Sequence, residues 1–170
     1  MIQALRPAGP QYAARVIGSP AGARLARGVQ SAGAALLLGD LRAWARVQEG
    51  VVSIAHARGW VAAAVAREGR VGIDLEYCTP LRPIGEIAQW LMGSDAPNTA
   101  AAWRVFTFYE AYFKAFGEAP SRALMLAVAR TQGELTRLPG ALGVLHVALA
   151  ADAVLTLVWT GPDDPQQASL

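Results

Sequence analysis

Three scarcities narrow the possibilities before any pattern is read. Cysteine occurs once, at Cys78, so no disulfide can close within the chain, and a disulfide-stapled secreted module is excluded. A reducing, cytoplasmic setting is the simplest expectation. No positively charged start followed by an apolar run opens the sequence, so no secretory signal is expected. Charge is sparse too: 16% of residues are charged and the formal net charge is +2, which leaves no concentrated basic patch of the kind nucleic acid requires. Lysine occurs once, at Lys114, beside fourteen arginines. Either that is chance, or a compact ammonium does something there that a planar guanidinium does not.

What is present is enough to fold. Hydrophobic residues make up 54% of the 170, which argues against disorder and supplies a core for one domain without staples. Residues 143–161 are apolar enough to suggest a membrane span, but His146, Asp152 and Thr156 interrupt them. They read better as two buried strands joined by a turn at 150–153, so no membrane partner is expected.

Taken in order, Pro7, Gly9, Pro10, Gly18 and Pro20 predict loop with one strand at 12–17. Residues 21–38 predict a helix closed by Gly39-Asp40, followed by a second helical piece at 41–47. From Val51 the period becomes two: strands at 51–55, 60–66 and 70–76, the last two joined by Glu68-Gly69 into a hairpin. Helices follow at 84–92 and 100–116, the second capped by Asn98 or Thr99 and stopped by Gly117. A short helix or strand at 122–129 and strands at 143–149 and 154–160 complete the fold, with His146 read as a core or edge residue. Residues 161–170 read as a disordered tail.

Chemistry concentrates in three places. In Val71-Gly72-Ile73-Asp74-Leu75-Glu76, alternation puts Asp74 and Glu76 on one face of a strand. Two adjacent carboxylates are either a solvated strand end or a seat for a hard cation such as Mg²⁺. Glu110 and Lys114 share a helix face at i,i+4; as a bare surface pair they contribute only about 0.3–0.5 kcal/mol. His56, in Ser53-Ile54-Ala55-His56-Ala57-Arg58-Gly59, stands at a strand end. It is either structural or, with Arg58 and exposed backbone N–H groups, a place to meet a phosphate.

These pieces come in a suggestive order. Ser53-x-x-His56, then Gly72-Ile73-Asp74-Leu75-Glu76, then Tyr109-Glu110-Ala111-Tyr112-Phe113-Lys114-Ala115 resembles the 4′-phosphopantetheinyl transferases, in their single-chain, two-half form with a shortened N-terminal half. The resemblance covers residues 50–117. It implies an α+β fold of two similar halves, about 1–70 and 71–160, related by a pseudo-two-fold. Each half would be a long helix on a small antiparallel sheet, with the site in the cleft between them. It implies Asp74, Glu76 and Glu110 as magnesium ligands, Glu110 also as general base, Lys114 on the pyrophosphate of coenzyme A, and His56 on its 3′-phosphate with Ser53 and Arg58 nearby. The implied reaction moves the phosphopantetheine arm of coenzyme A onto a serine of an acyl or peptidyl carrier protein and releases adenosine 3′,5′-bisphosphate, the protein acting as a monomer.

The sequence also departs from the family pattern. Tyr109 stands where lysine is usual, Phe106 where tryptophan is, Ala55 where a second serine is and Ala119 where a glycine often follows the helix. No G-K-P-type loop precedes Val51, and Arg24, Arg27, Arg42 and Arg46 are the candidates to replace its phosphate contacts. A non-catalytic relative that binds a carrier protein is therefore the alternative, and a different magnesium-dependent phosphate enzyme is the fallback.

Overall fold

The computed structural model of the chain describes residues 2–5, 12–18, 27–45, 50–58, 60–132 and 135–161. They form an α+β protein with two four-stranded antiparallel sheets. The first sheet has the order β1-β2-β4-β3, from β1 (Ile2–Leu5), β2 (Tyr12–Gly18), β3 (Val51–Ala57) and β4 (Trp60–Ala66). The second has the order β5-β8-β7-β6, from β5 (Arg70–Tyr77), β6 (Leu135–Leu138), β7 (Leu142–Ala150) and β8 (Ala153–Thr160). Helix α1 (Arg27–Ala45) lies on the first sheet, and α3 (Thr99–Phe116), flanked by α2 (Ile84–Met92) and α4 (Arg122–Arg130), lies on the second.

Side-chain alternation sets the layers. Val61, Ala63 and Val65 of β4 point to α1 and pack on Ala34 and Leu37. The alternate residues Ala62, Ala64 and Ala66 point the other way, where they meet Val71, Ile73 and Leu75 of β5 and Leu155, Leu157 and Trp159 of β8. The two sheets thus face each other across an apolar layer, and each turns its other face to helices. The covered face of the second sheet carries Val144 and Val158 against Phe108, Val105 and Ala111 of α3.

The hairpin expected from strands 60–66 and 70–76 is not formed. β4 pairs with β2 and β3, and β5 pairs with β8. The reason is that β4 is buried along its whole length. A strand apolar on both faces suits the sheet interior with a partner on each side, while Gly69, at φ 78°, turns the chain out into the other sheet. The true hairpin is β3–β4, whose turn begins at Arg58 with φ 48°.

Gly39-Asp40 does not close α1, which runs on to Ala45. Glycine ends a helix when its backbone turns left-handed. Gly93 and Gly117 do so, at φ 72° and 74°, and end α2 and α3, whereas Gly39 keeps a helical backbone. The strands β1 and β6, four residues each, have too little periodicity to be read from sequence. Residues 122–129, readable either way, are helix, with Ser121 Oγ accepting from Leu124 N at 3.3 Å. Residues 143–161 hold β7 and β8. Among the described residues, no helix is long and apolar enough to cross a membrane. The tail from residue 162 onward, the start of the expected first helix at 21–26, and Arg24 and Arg46 lie outside the described residues.

Candidate functional site

β5 delivers the two acids, and α3 lies directly over them. Asn98 Oδ1 caps α3 by accepting from Ala101 N at 2.9 Å, and the helix then runs unbroken for 18 residues. It crosses β5 where the strand has no side chain. A Cβ on Gly72 would lie 1.9 Å from the carbonyl oxygen of Ala111 and 2.9 Å from Ala115 N, so only glycine permits this approach. Gly72, Asp74 and Glu76 therefore face α3 while Val71, Ile73 and Leu75 enter the layer between the sheets.

This approach buries Asp74, which is only 6% exposed; the open, solvent-reached strand surface suggested by alternation alone is covered by the helix. Lys114 does not spend its charge on Glu110 one turn away. Its Nζ donates to Asp74 Oδ1 at 2.8 Å and to the carbonyl oxygen of Ile73 at 3.1 Å. The other carboxylate oxygen, Asp74 Oδ2, is buried without a hydrogen-bond partner. Glu76 is paired with Arg82, Nη1 to Oε1 at 3.0 Å, and the Arg82 guanidinium lies over the rings of Phe106 and Trp103, 5.0 and 5.7 Å from their centroids.

The carboxylates disturb one another. Burial raises the pKa of Glu76 above the usual 4.5, and Asp74 and Glu110 push it the same way against the pull of Arg82. Burial also raises Glu110, followed by the charge of Asp74, with Lys114 and Arg82 opposing. Three acids and two cations thus form one interacting set, although among the described residues no three His, Cys, Asp or Glu side chains stand close enough to make a ready metal site.

The first sheet contributes through its edge strand. Ser53 is buried, and its Oγ accepts from Ile73 N at 3.0 Å, which ties β3 to β5. Arg58 lies over the ring of Tyr77, 3.6 Å from its centroid, bringing the β3–β4 turn to the end of β5. His56 is exposed on the face of β3 shared with Val52 and Ile54. Arg42 is exposed near the end of α1.

Two features had no sequence signal. Arg82 sits in a loop before Pro83, where spacing predicts nothing. The other is a polar row across the second sheet: Asp74 on β5 pairs in register with Thr156 on β8, and Thr156 with His146 on β7. Above it, Thr107 of α3 bonds to Thr156, Oγ1 to Oγ1 at 2.6 Å. The row shows in sequence only once the strand register is known. No protein-family model matches the chain, and none of the curated proteins matches it.

Proposed function

We propose that this protein transfers the 4′-phosphopantetheine arm of coenzyme A to a serine of an acyl or peptidyl carrier protein, with Mg²⁺ as cofactor. The observation that carries the reading is the buried carboxylate oxygen Asp74 Oδ2, left without a hydrogen-bond partner beside two further acids of raised pKa. An anionic oxygen removed from water and left unpaired is costly, and a hard cation is the natural complement of a set of carboxylate oxygens. Asp74, Glu76 and Glu110 are the residues that would hold it. When bound, Mg²⁺ would neutralise charge on the pyrophosphate oxygens of the substrate.

The chain's own residues divide the remaining work. Glu110, whose raised pKa brings it nearer to neutral pH, takes the proton of the attacking carrier-protein serine. The serine oxygen forms a new bond to the phosphorus next to the pantetheine arm; the bond from that phosphorus to the bridging oxygen breaks, and adenosine 3′,5′-bisphosphate leaves. Lys114 and Arg82 lie close enough to the acids to meet developing negative charge on the leaving group. His56, Ser53 and Arg58 belong to the strand and turn that lie alongside β5, and in this reading His56 meets the 3′-phosphate. Apart from β1, β6 and the flanking helices α2 and α4, the two sheets follow a similar path, strand, helix, then two strands with the last in the middle, which supports two related halves. The strands that adjoin, β3 and β5, are not counterparts in that path.

The experiment is intact mass of a panel of apo carrier proteins after incubation with this protein, coenzyme A and Mg²⁺, beside a chelator control. A metal-dependent gain of one phosphopantetheine arm, lost in Glu110→Gln, is the expected result. A second reading, carrier binding without turnover, is favoured by one observation: Asp74 and Glu76 are already neutralised by Lys114 and Arg82. Carrier binding with no mass gain across the panel would select it.

A further inference from the structure

Each acid of β5 is paired with a cation that stands on its solvent side. The side chains of Lys114 and Arg82 are 33% and 35% exposed, those of their partners Asp74 and Glu76 only 8% and 21%. The two cations come from different elements, Lys114 from α3 and Arg82 from the loop before α2. The way from solvent to either carboxylate runs past its cation.

Lys114 also marks a seat. Asp74 Oδ1 at 2.8 Å and the carbonyl oxygen of Ile73 at 3.1 Å converge on its Nζ, so one side-chain oxygen and one backbone oxygen already hold a point-like positive charge there. Carboxylate and carbonyl oxygens are the ligands that hard divalent cations take. A compact ammonium fills such a position where a planar guanidinium does not. Among the described residues, no three His, Cys, Asp or Glu side chains are gathered closely enough to hold a metal ion by themselves, so a divalent cation at this seat completes its shell with oxygens from outside the chain. Phosphate oxygens serve that purpose, and they are also what a freed ammonium and guanidinium bind.

We infer that loading the site exchanges these ion pairs: Asp74 and Glu76 give up Lys114 and Arg82 for a divalent cation, and the released ammonium and guanidinium turn to the oxygens of a diphosphate ester. The inference rests on the transferase reading for the acids as metal ligands. Alone, a metal ion competes with the protein's own cations, and a diphosphate competes with its own carboxylates, so each binds weakly. Together, each removes the other's competitor. Because coupling between two ligands is reciprocal, the factor by which the ester tightens the metal is the factor by which the metal tightens the ester.

The single lysine makes the exchange directly visible. In the full chain labelled with ¹³C at lysine Cε, NMR shows one lysine signal. Mg²⁺ at high concentration should move it towards its position in Asp74→Asn, where the ion pair is absent, and coenzyme A should lower the Mg²⁺ midpoint by at least about tenfold. In calorimetric titration with Mg²⁺ alone, Lys114→Met and Arg82→Met should each bind at least about tenfold more tightly than the parent, and coenzyme A should then add less. Arg70→Met is the control for charge alone: Arg70 belongs to the same strand, but its Nη1 lies 3.4 Å from the carbonyl oxygen of Ala115, and its removal should leave Mg²⁺ affinity unchanged. A lysine signal that Mg²⁺ does not move, or Lys114→Met and Arg82→Met binding Mg²⁺ no more tightly than the parent or Arg70→Met, overturns the exchange. The carrier mass assay judges the transferase reading separately: arm transfer with an unmoved lysine signal overturns the exchange alone, and a moved signal without transfer overturns the transfer reaction alone.

Discussion

The helix-covered faces of the two sheets have opposite chemistry. Under α1 the first sheet presents Val61, Ala63 and Val65 to Ala34 and Leu37, and among the described residues no buried polar side chain lies on that face. Under α3 the second sheet presents Gly72, Asp74, Thr156 and His146, with Lys114 and Thr107 of the helix bonded into them. A sheet face is ordinarily covered by apolar side chains, because a buried polar group needs a partner to offset its lost hydration. One face keeps that rule and is scaffold. The other breaks it with most groups satisfied; among the described residues Asp74 Oδ2, His146 Nε2, Arg104 Nε and Thr136 Oγ1 are buried there without a hydrogen-bond partner.

The strongest way to break the contrast is to fill the close approach on the polar side. Gly72→Ala places a methyl group against helix backbone, which cannot retreat without lifting α3, and should destabilise by at least about 3 kcal/mol in denaturant titration. A loss below about 1 kcal/mol would mean that α3 is not held against β5 as described. Next, Lys114→Met leaves the buried Asp74 carboxylate without its counter-charge. The lysine side chain is 33% exposed, so the loss should be about 2 kcal/mol rather than the 3–5 of a fully buried pair. Adding Asp74→Asn should recover most of it, and an additive double mutant would show that the two side chains do not interact.

Smaller again is the pH effect. Glu76 and Glu110 both have folded-state pKa values raised above 4.5, so the folded state binds protons more tightly than the unfolded chain. Their contribution to stability is present at low pH and declines as pH rises from 4.5 through the raised values. Glu110→Gln should flatten the melting temperature across this window. Mg²⁺ should raise the melting temperature of the parent protein above it, but not that of Asp74→Ala. The smallest effect is on the scaffold side and has the opposite sign. A Cβ at Gly33 meets only Val61 Cγ2 at 3.8 Å, and one at Gly39 meets nothing within 4 Å. Alanine at either should stabilise by about 0.5–1 kcal/mol through better helix propensity, and a loss there would show that α1 is packed as tightly as α3.

The sequence made the candidate acids and most long elements legible because they depend on local pattern. The alternation in Val71–Glu76 and the unbroken run ending at Gly117 need no knowledge of partners. What it could not reveal depends on pairing. The strands 60–66 and 70–76 look like a hairpin because they are adjacent in the chain, but burial of β4 on both faces sends them into different sheets. Lys114 looks like the partner of Glu110 at i,i+4, but Asp74, forty residues away, is nearer to its ammonium. His146 alternates with apolar neighbours and reads as a core or edge residue, and it is buried; its hydrogen-bond chain needs the register of two strands and a helix.

β3 and β5 adjoin without forming a ladder, and the hydrogen bond the structure gives across that seam runs from the Ile73 amide to Ser53 Oγ. A ladder would lock the sheets in register residue by residue; here the seam is held by a hydroxyl, the Arg58–Tyr77 contact and the apolar layer beneath it. Exchange of the Ile73 amide proton with solvent then times the opening of the seam, separately from unfolding of either sheet, and the residues that flank the acids sit on both of its sides.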